Sequence, residues 1–101
     1  MNTQQRYKAT MYNNDDLLPM VTWHDDETSA RAEALRYVVH EYEHHNEGEF
    51  VQGGYGVLAD DVTDVAGDVI GEEYAIVDQR EGKHTPVGIG ARFELDDGMP
   101  F

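Results

Sequence analysis

The chain has 101 residues, 21 of them acidic and 7 basic, which sets a formal net charge of -14 at pH 7. That length holds a single domain, residues 1 to 101, with a core of its own and no room for a second module. The absence of cysteine excludes a disulfide scaffold, an iron–sulfur site and a thiolate zinc site, and the acidic balance speaks against direct binding of nucleic acid or anionic membranes, which needs Lys and Arg to replace counterions.

The opening stretch MNTQQRYKATMY has no apolar segment of the kind that directs secretion, and no run approaches the length of a membrane span. Lack of cysteine fits a reducing compartment, so the expected location is the cytoplasm. Within this stretch residues 6 to 12, RYKATMY, alternate and stop at the turn signal NNDD, which predicts a strand. MVTWH, residues 20 to 24, predicts a second short strand in hairpin with the first. Up to residue 24, Arg6 and Lys8 cancel Asp15 and Asp16, so all of the acidic excess lies from Asp25 onward.

Asp25-Asp26-Glu27-Thr28 is a helix start, with a capping side chain and acidic residues where the helix dipole favours them. The helix is predicted from about residue 27 to 46, stopping at Asn46 or Gly48. Leu35, Val38, Val39 and Tyr42, with Ala32 beside them, fall on one side at helical spacing and predict the face that packs on a sheet. The opposite face carries Glu33, Arg36, Tyr37, His40, His44 and Glu47.

This helix contains His40-Glu41-Tyr42-Glu43-His44, the His-Glu-x-x-His spacing that in zinc hydrolases puts two imidazoles on one helix face with the Glu as general base. Catalytic zinc needs a third protein ligand. The continuation His45-Asn46-Glu47-Gly48 supplies no His in the extended register, leaving Asp64, Asp68, His24 or His84 as remote candidates. A solvated polar face is the expected reading, no metal or other cofactor is called for, and a small zinc hydrolase using His40, Glu41 and His44 is the enzymatic alternative.

FVQGGYGVLA, residues 50 to 59, predicts a strand with a bulge near Gly53-Gly54. Its glycines lack the Lys and the strand-to-helix context of a phosphate-binding loop. Residues 60 to 71, DDVTDVAGDVIG, carry Val62, Val65, Ala66, Val69 and Ile70 at helical spacing and predict a short helix. Their β-branched residues and Gly67 disfavour helix, and an irregular loop is the alternative. EYAIVDQ, residues 73 to 79, and PVGIGARFEL, residues 86 to 95, predict two more strands, and the tail DDGMPF is expected to be loose. The fold class is therefore α+β: one long helix on a mostly antiparallel sheet of four or five strands, in the order β-β-α-β-(short α)-β-β.

If residues 61 to 71 were helical, Asp61, Asp64 and Asp68 would form a stripe that Glu72 continues, with carboxylates spaced along a rigid rod much as phosphates are along a strand. Glu41, Glu43, Glu47 and Glu49 add a second acidic patch, and Asp96 and Asp97 a third. In composition alone the chain resembles the small, cysteine-free acidic anti-restriction and anti-CRISPR inhibitors of phages and mobile elements. No motif ties it to one such family, so no residue roles follow from the resemblance. The functional expectation is a non-enzymatic acidic protein that occupies a basic, nucleic-acid-binding surface of another protein. Asp61, Asp64, Asp68, Glu72, Glu43 and Glu47 are its partner-binding residues. The remaining alternative is an acidic domain of halophile type, in which the charge serves only solubility in salt.

Overall fold

The computed structural model describes residues 6 to 14 and 18 to 96. The expectations for the turn at Asp15 and Asp16, for Asp97 and for the tail from residue 97 fall outside the described residues. Strand β1 (Tyr7–Tyr12) pairs antiparallel with β2 (Met20–His24), Tyr7 opposite His24 and Met11 opposite Met20. The helix α1 (Glu27–His44) follows. Asp26 caps it, its carboxylate accepting the Ser29 N–H at 2.7 Å, with Glu27 in the first turn.

The helix stops where the sequence predicts, and the reason is a run of left-handed backbone. Asn46 (φ 45), Glu47 (φ 61) and Gly48 (φ 82) follow one another. Asn and Gly adopt this conformation readily, whereas a Glu there costs on the order of 1 kcal/mol. The reversal delivers Phe50, 5% exposed, into the core. There it stacks on His45 and meets the tilted ring of Tyr55, each with a ring centroid 5.0 Å away. Residues 49 to 52 are consequently a single helical turn, α2 (Glu49–Gln52), and not the start of a strand.

Strand β3 (Tyr55–Thr63) begins only after Gly54 turns the chain at φ 83, and it runs on through Asp60 and Asp61. The predicted short helix over residues 60 to 71 is thus not formed: the short helix of this fold is α2. In its place stand the end of β3, a tight turn at residues 64 to 68, and the start of β4 (Val69–Asp78). Val62, Thr63, Val69 and Ile70 are β-branched and suit a pleated surface. Gly67, at φ 91, takes the position in the turn that a residue with a Cβ resists. The helical spacing of the valines was coincidental. Strand β5 (Thr85–Leu95) closes the fold.

The five strands form one antiparallel sheet in the order β2-β1-β5-β4-β3. Sheet and helix together are the α+β architecture expected from the sequence. The helix covers one face through Ala30, Ala34 and Val38, all at 0% exposure, a row at i, i+4, i+8 that differs from the predicted stripe. Leu35 and Tyr42 pack at its flank, whereas Val39 (45% exposed) and Ala32 face solvent. Small residues in that row let the helix approach the sheet closely, and Ala9, Met11, Ile76, Ile89, Ala91 and Phe93 meet it from the strands. The alternate residues of the same strands point to the other face, over which no described helix packs. No helix among the described residues is long and apolar enough to cross a membrane.

Gly71 of β4 lies directly against the carbonyl oxygen of Phe93 in the neighbouring β5, with no space for a Cβ. Gly71→Ala must push the two central strands apart, so it is expected to destabilise the domain by about 1–3 kcal/mol, the range for overpacking. Chemical denaturation measures this directly.

Candidate functional site

The β3–β4 hairpin is longer than the sheet it belongs to. Pairing between β4 and β5 begins at Gly71 opposite Glu94, whereas β3 and β4 remain paired out to Thr63 and Val69. Its far end is therefore a free two-stranded ribbon, and it contributes to an elongated molecule of 52 × 26 × 24 Å. At the tip, Asp64 holds the turn: its Oδ1 accepts the N–H groups of Ala66 at 2.9 Å and Asp68 at 3.0 Å. Val65 and Val69 beside it are exposed.

Below the tip, Asp61 stands opposite Glu72 and Asp60 opposite Glu73. The register puts the first pair on the helix side of the sheet and the second on the open side. Like charges directly opposed across two strands are destabilising. The structure offsets half of each pair. Glu72 accepts the Tyr74 hydroxyl at 2.7 Å and meets Arg31 Nε at 3.3 Å, and Arg31 in turn bonds Glu27 and lies over the Phe93 ring. Glu73 accepts the Tyr12 hydroxyl at 3.0 Å and stands opposite Arg92. Asp60 and Asp61 have no hydrogen bond or ion pair among the described residues and face solvent.

These contacts set the titration of the ribbon's base. The Tyr74 hydroxyl, with Arg31 behind it, holds the Glu72 carboxyl below its ordinary value against the opposing effect of burial. Burial pushes Tyr74 up to about 12, Glu72 adding to the effect. Tyr12 likewise rises to about 12 through burial and the nearby Glu73. Both phenols therefore act as hydrogen-bond donors at neutral pH. At the other end of β4, Arg80 grips Asp78 through two side-chain bonds of 2.9 and 2.7 Å and a backbone N–H at 3.0 Å. This draws the Asp78 carboxyl down to about 2.

Of the residues expected from the sequence, Asp61, Asp64, Asp68 and Glu72 do come together in one ribbon, but not as a helical stripe. Asp61 and Glu72 face each other, while Asp64 and Asp68 bracket the turn, with the carboxylate of Asp64 occupied in holding it. Glu43 and Glu47 belong elsewhere. Arg31 of α1 reaches Glu72 near the start of β4, whereas Tyr42 bonds the Tyr55 carbonyl at 2.9 Å near the start of β3. The C-terminal end of α1, with exposed Glu43 and Glu47, therefore lies at the opposite end of the ribbon from its tip. Sequence reasoning missed Asp60 and Glu73. Their signal was the doublets Asp60-Asp61 and Glu72-Glu73, placed symmetrically about Gly67 as partners in a hairpin are.

The rings of His40 and His44 lie side by side at the helix surface, tilted by 42° with centroids 4.8 Å apart. Glu41 is not aligned with them. It turns aside to Asn13 and to His45 Nδ1, each at 3.3 Å. Among the described residues no cluster of three or more His, Asp or Glu side chains is arranged to hold a metal ion. Compared with known proteins, the chain matches no family model, no curated protein and no solved structure.

The depressed Glu72 carboxyl makes a signed prediction. A carboxyl lowered in the folded state stabilises above its unfolded pKa of ~4.3, and that stabilisation is lost as pH falls through the folded value. Glu72→Gln should therefore melt below the wild type at pH 7, by about 1 kcal/mol or less because the group is partly solvent-screened. The difference should close as pH drops below about 4. Paired thermal melts across pH 2 to 7 (roughly the carboxylate range) check it.

Proposed function

We propose that this chain is a non-enzymatic acidic binding protein whose β3–β4 ribbon enters a basic surface on a partner that handles nucleic acid, acting there as a nucleic-acid mimic. The observation that carries the reading is the ribbon. From Val57 to Asp78 the sequence contains Asp60, Asp61, Asp64, Asp68, Glu72, Glu73 and Asp78 and not one Lys, Arg or His. The end of this segment extends past the helix and the other strands.

A charge that served solubility alone would be spread over the surface. Here, opposed carboxylates are set where they cost stability, at the base of a two-stranded ribbon whose turn carries Asp64 and Asp68. Asp60 and Asp61 have no partner among the described residues and so are available to Lys and Arg of another molecule. Exposed Val65 and Val69 at the tip provide apolar contact beside the charge. Carboxylates pairing with cations that otherwise hold phosphates give competition with nucleic acid, fast association and strong dependence on salt. Anti-restriction or anti-CRISPR inhibition is the kind of activity such competition supports.

The test is a pull-down from host lysate at low and high salt, with captured proteins identified by mass spectrometry. A basic nucleic-acid-handling protein retained at low salt and displaced by high salt or by added DNA is the expected result. The variant Asp60→Asn/Asp61→Asn/Asp68→Asn should weaken that capture at least ~10-fold, as expected for losing three charge pairs worth some tenths of a kcal/mol to several kcal/mol each. Its circular dichroism and melting temperature should stay at or above those of the wild type, because like-charge repulsion is relieved. Capture that is indifferent to both salt and the triple variant sinks the proposal.

A further inference from the structure

Strand β3 is an edge of the sheet: it bonds β4 on one side, and no described strand lies on the other. Where its start meets the end of β4, the Gln79 N–H bonds the Gly54 carbonyl at 3.3 Å, one step before Tyr55 stands opposite Asp78. Residues that bond across an antiparallel pair alternate with residues that do not. Gly56, Leu58, Asp60 and Val62 therefore turn their N–H and C=O groups to β4, and Val57, Ala59 and Asp61 turn theirs outward. The Tyr55 carbonyl follows the same alternation: it points away from β4 and accepts the Tyr42 hydroxyl at 2.9 Å. Residues 57 to 61 are all exposed, with Val57 at 39% and Leu58 at 38%. An exposed, unpaired edge of this kind is a template for another strand.

The side chains along the edge select the strand. Val57, Ala59 and Asp61 lie on the helix side of the sheet, and Leu58 and Asp60 on the open side. Neighbouring positions thus place one carboxylate on each face, beside apolar residues on both. We propose that β3 accepts an extended segment of a partner protein as a sixth, antiparallel strand, bonded to Val57, Ala59 and Asp61, and that this segment carries two adjacent basic residues followed by apolar ones. The two cations stand opposite Asp61 and Asp60, one on each face. The apolar residues that follow stand opposite Ala59, Leu58 and Val57, and the small Ala59 leaves space for a large one.

Each cation also extends a row that already holds an opposed acidic pair, Asp61 with Glu72 on one face and Asp60 with Glu73 on the other, and so relieves the repulsion there. Strand addition draws affinity from main-chain bonds and specificity from the alternating side chains. A second copy of the chain is the wrong occupant. Its own β3 brings carboxylates in place of cations, and the net charge of -14 opposes the approach. The inference rests on the reading of the acidic ribbon as the contact with a basic partner, and it names the element of the partner that meets it.

The full chain is titrated into a fluorescein-labelled peptide of about seven residues, Thr-Lys-Arg-Tyr-Val-Ile-Thr, and anisotropy is followed. One short strand covers less than about 1,200 Å², so a Kd on the order of 100 µM is expected. Glu-Glu in place of Lys-Arg in the peptide should weaken binding at least ~10-fold, and Asp60→Lys/Asp61→Lys should reverse the preference between the two peptides. Ala59→Pro removes an outward N–H and leaves the bonds to β4 in place. It should keep the wild-type circular dichroism and lose at least ~10-fold in affinity. Amide exchange followed by NMR needs no variant. The N–H groups of Val57, Ala59 and Asp61 should exchange fast in the free chain and at least ~10-fold more slowly with ~1 mM peptide, while those of Leu58 and Asp60 stay slow in both. No binding of the Lys-Arg peptide up to ~1 mM overturns the proposal. Binding that leaves the three outward amides unprotected, or that ignores Ala59→Pro, reduces the contact to charge and overturns it as well. In the lysate capture, a salt-sensitive nucleic-acid-handling partner that Ala59→Pro still retains overturns strand addition and leaves the mimic standing. Peptide binding with outward protection, when no such partner is captured, supports strand addition and overturns the mimic alone.

Discussion

One helix must cover one face of a five-stranded sheet, and the row Ala30, Ala34, Val38 is what lets it do so. Small side chains bring the helix close to β5 and β1, so that Phe93, Ala91, Ala9 and Met11 lose water on both sides. Each large apolar side chain buried this way contributes about 1.5–3 kcal/mol. Because the helix is narrow compared with the sheet, burial fades toward both edges. The outer residues of β3 and the whole of β2 are at best half-buried. The two sheet faces and the projecting ribbon are consequences of this geometry: what the helix does not reach is left for water or for other molecules.

Charge is managed locally within that frame. The few cations are placed where carboxylates crowd. Arg31 ties the helix to Glu72, Arg80 closes the turn at Asp78, and Arg92 stands between Glu73 and Glu94. Tyrosine hydroxyls do the rest, Tyr12 for Glu73 and Tyr74 for Glu72. A phenol that donates to a carboxylate relieves it without adding charge, so the surface keeps its negative sign. The repulsion left over is concentrated at Asp60 and Asp61, at the base of the ribbon.

Much of this was legible in the sequence, for identifiable reasons. Alternation in residues 6 to 12 marked a strand because one face of it is buried and the other is not. Asp26 marked the helix start because a capping carboxylate has a specific local partner. Residues 60 to 71 misled because Val62, Val65 and Val69 satisfy helical spacing by chance, and their β-branching and Gly67 spoke against a helix without indicating a hairpin. The turn α2 was unreadable in advance. It depends on a left-handed Glu47, which no propensity predicts, and on Phe50 finding a pocket between His45 and Tyr55. The nearness of Asp61, Asp64, Asp68 and Glu72 was legible in the sequence and their arrangement was not: composition reveals where charge accumulates, and pairing alone reveals which charges meet.

The strand order has a consequence for how the molecule is made. β5 is the last of the five strands in the chain and the middle one in the sheet, flanked by β1 on one side and β4 on the other. During synthesis from the N-terminus, the β1–β2 hairpin, the helix and the β3–β4 hairpin all emerge before the strand that unites them. Until β5 arrives, Ala9 and Met11 on one hairpin and Tyr74 and Ile76 on the other have no common core to enter. The pairing of Tyr7 with Leu95 spans almost the full chain, and contacts of that separation form slowly because a long loop must close first. A growing chain thus carries two unmatched hairpins and an amphipathic helix until residues 85 to 95 join them. Its own negative charge, which keeps like chains apart, protects it through that interval.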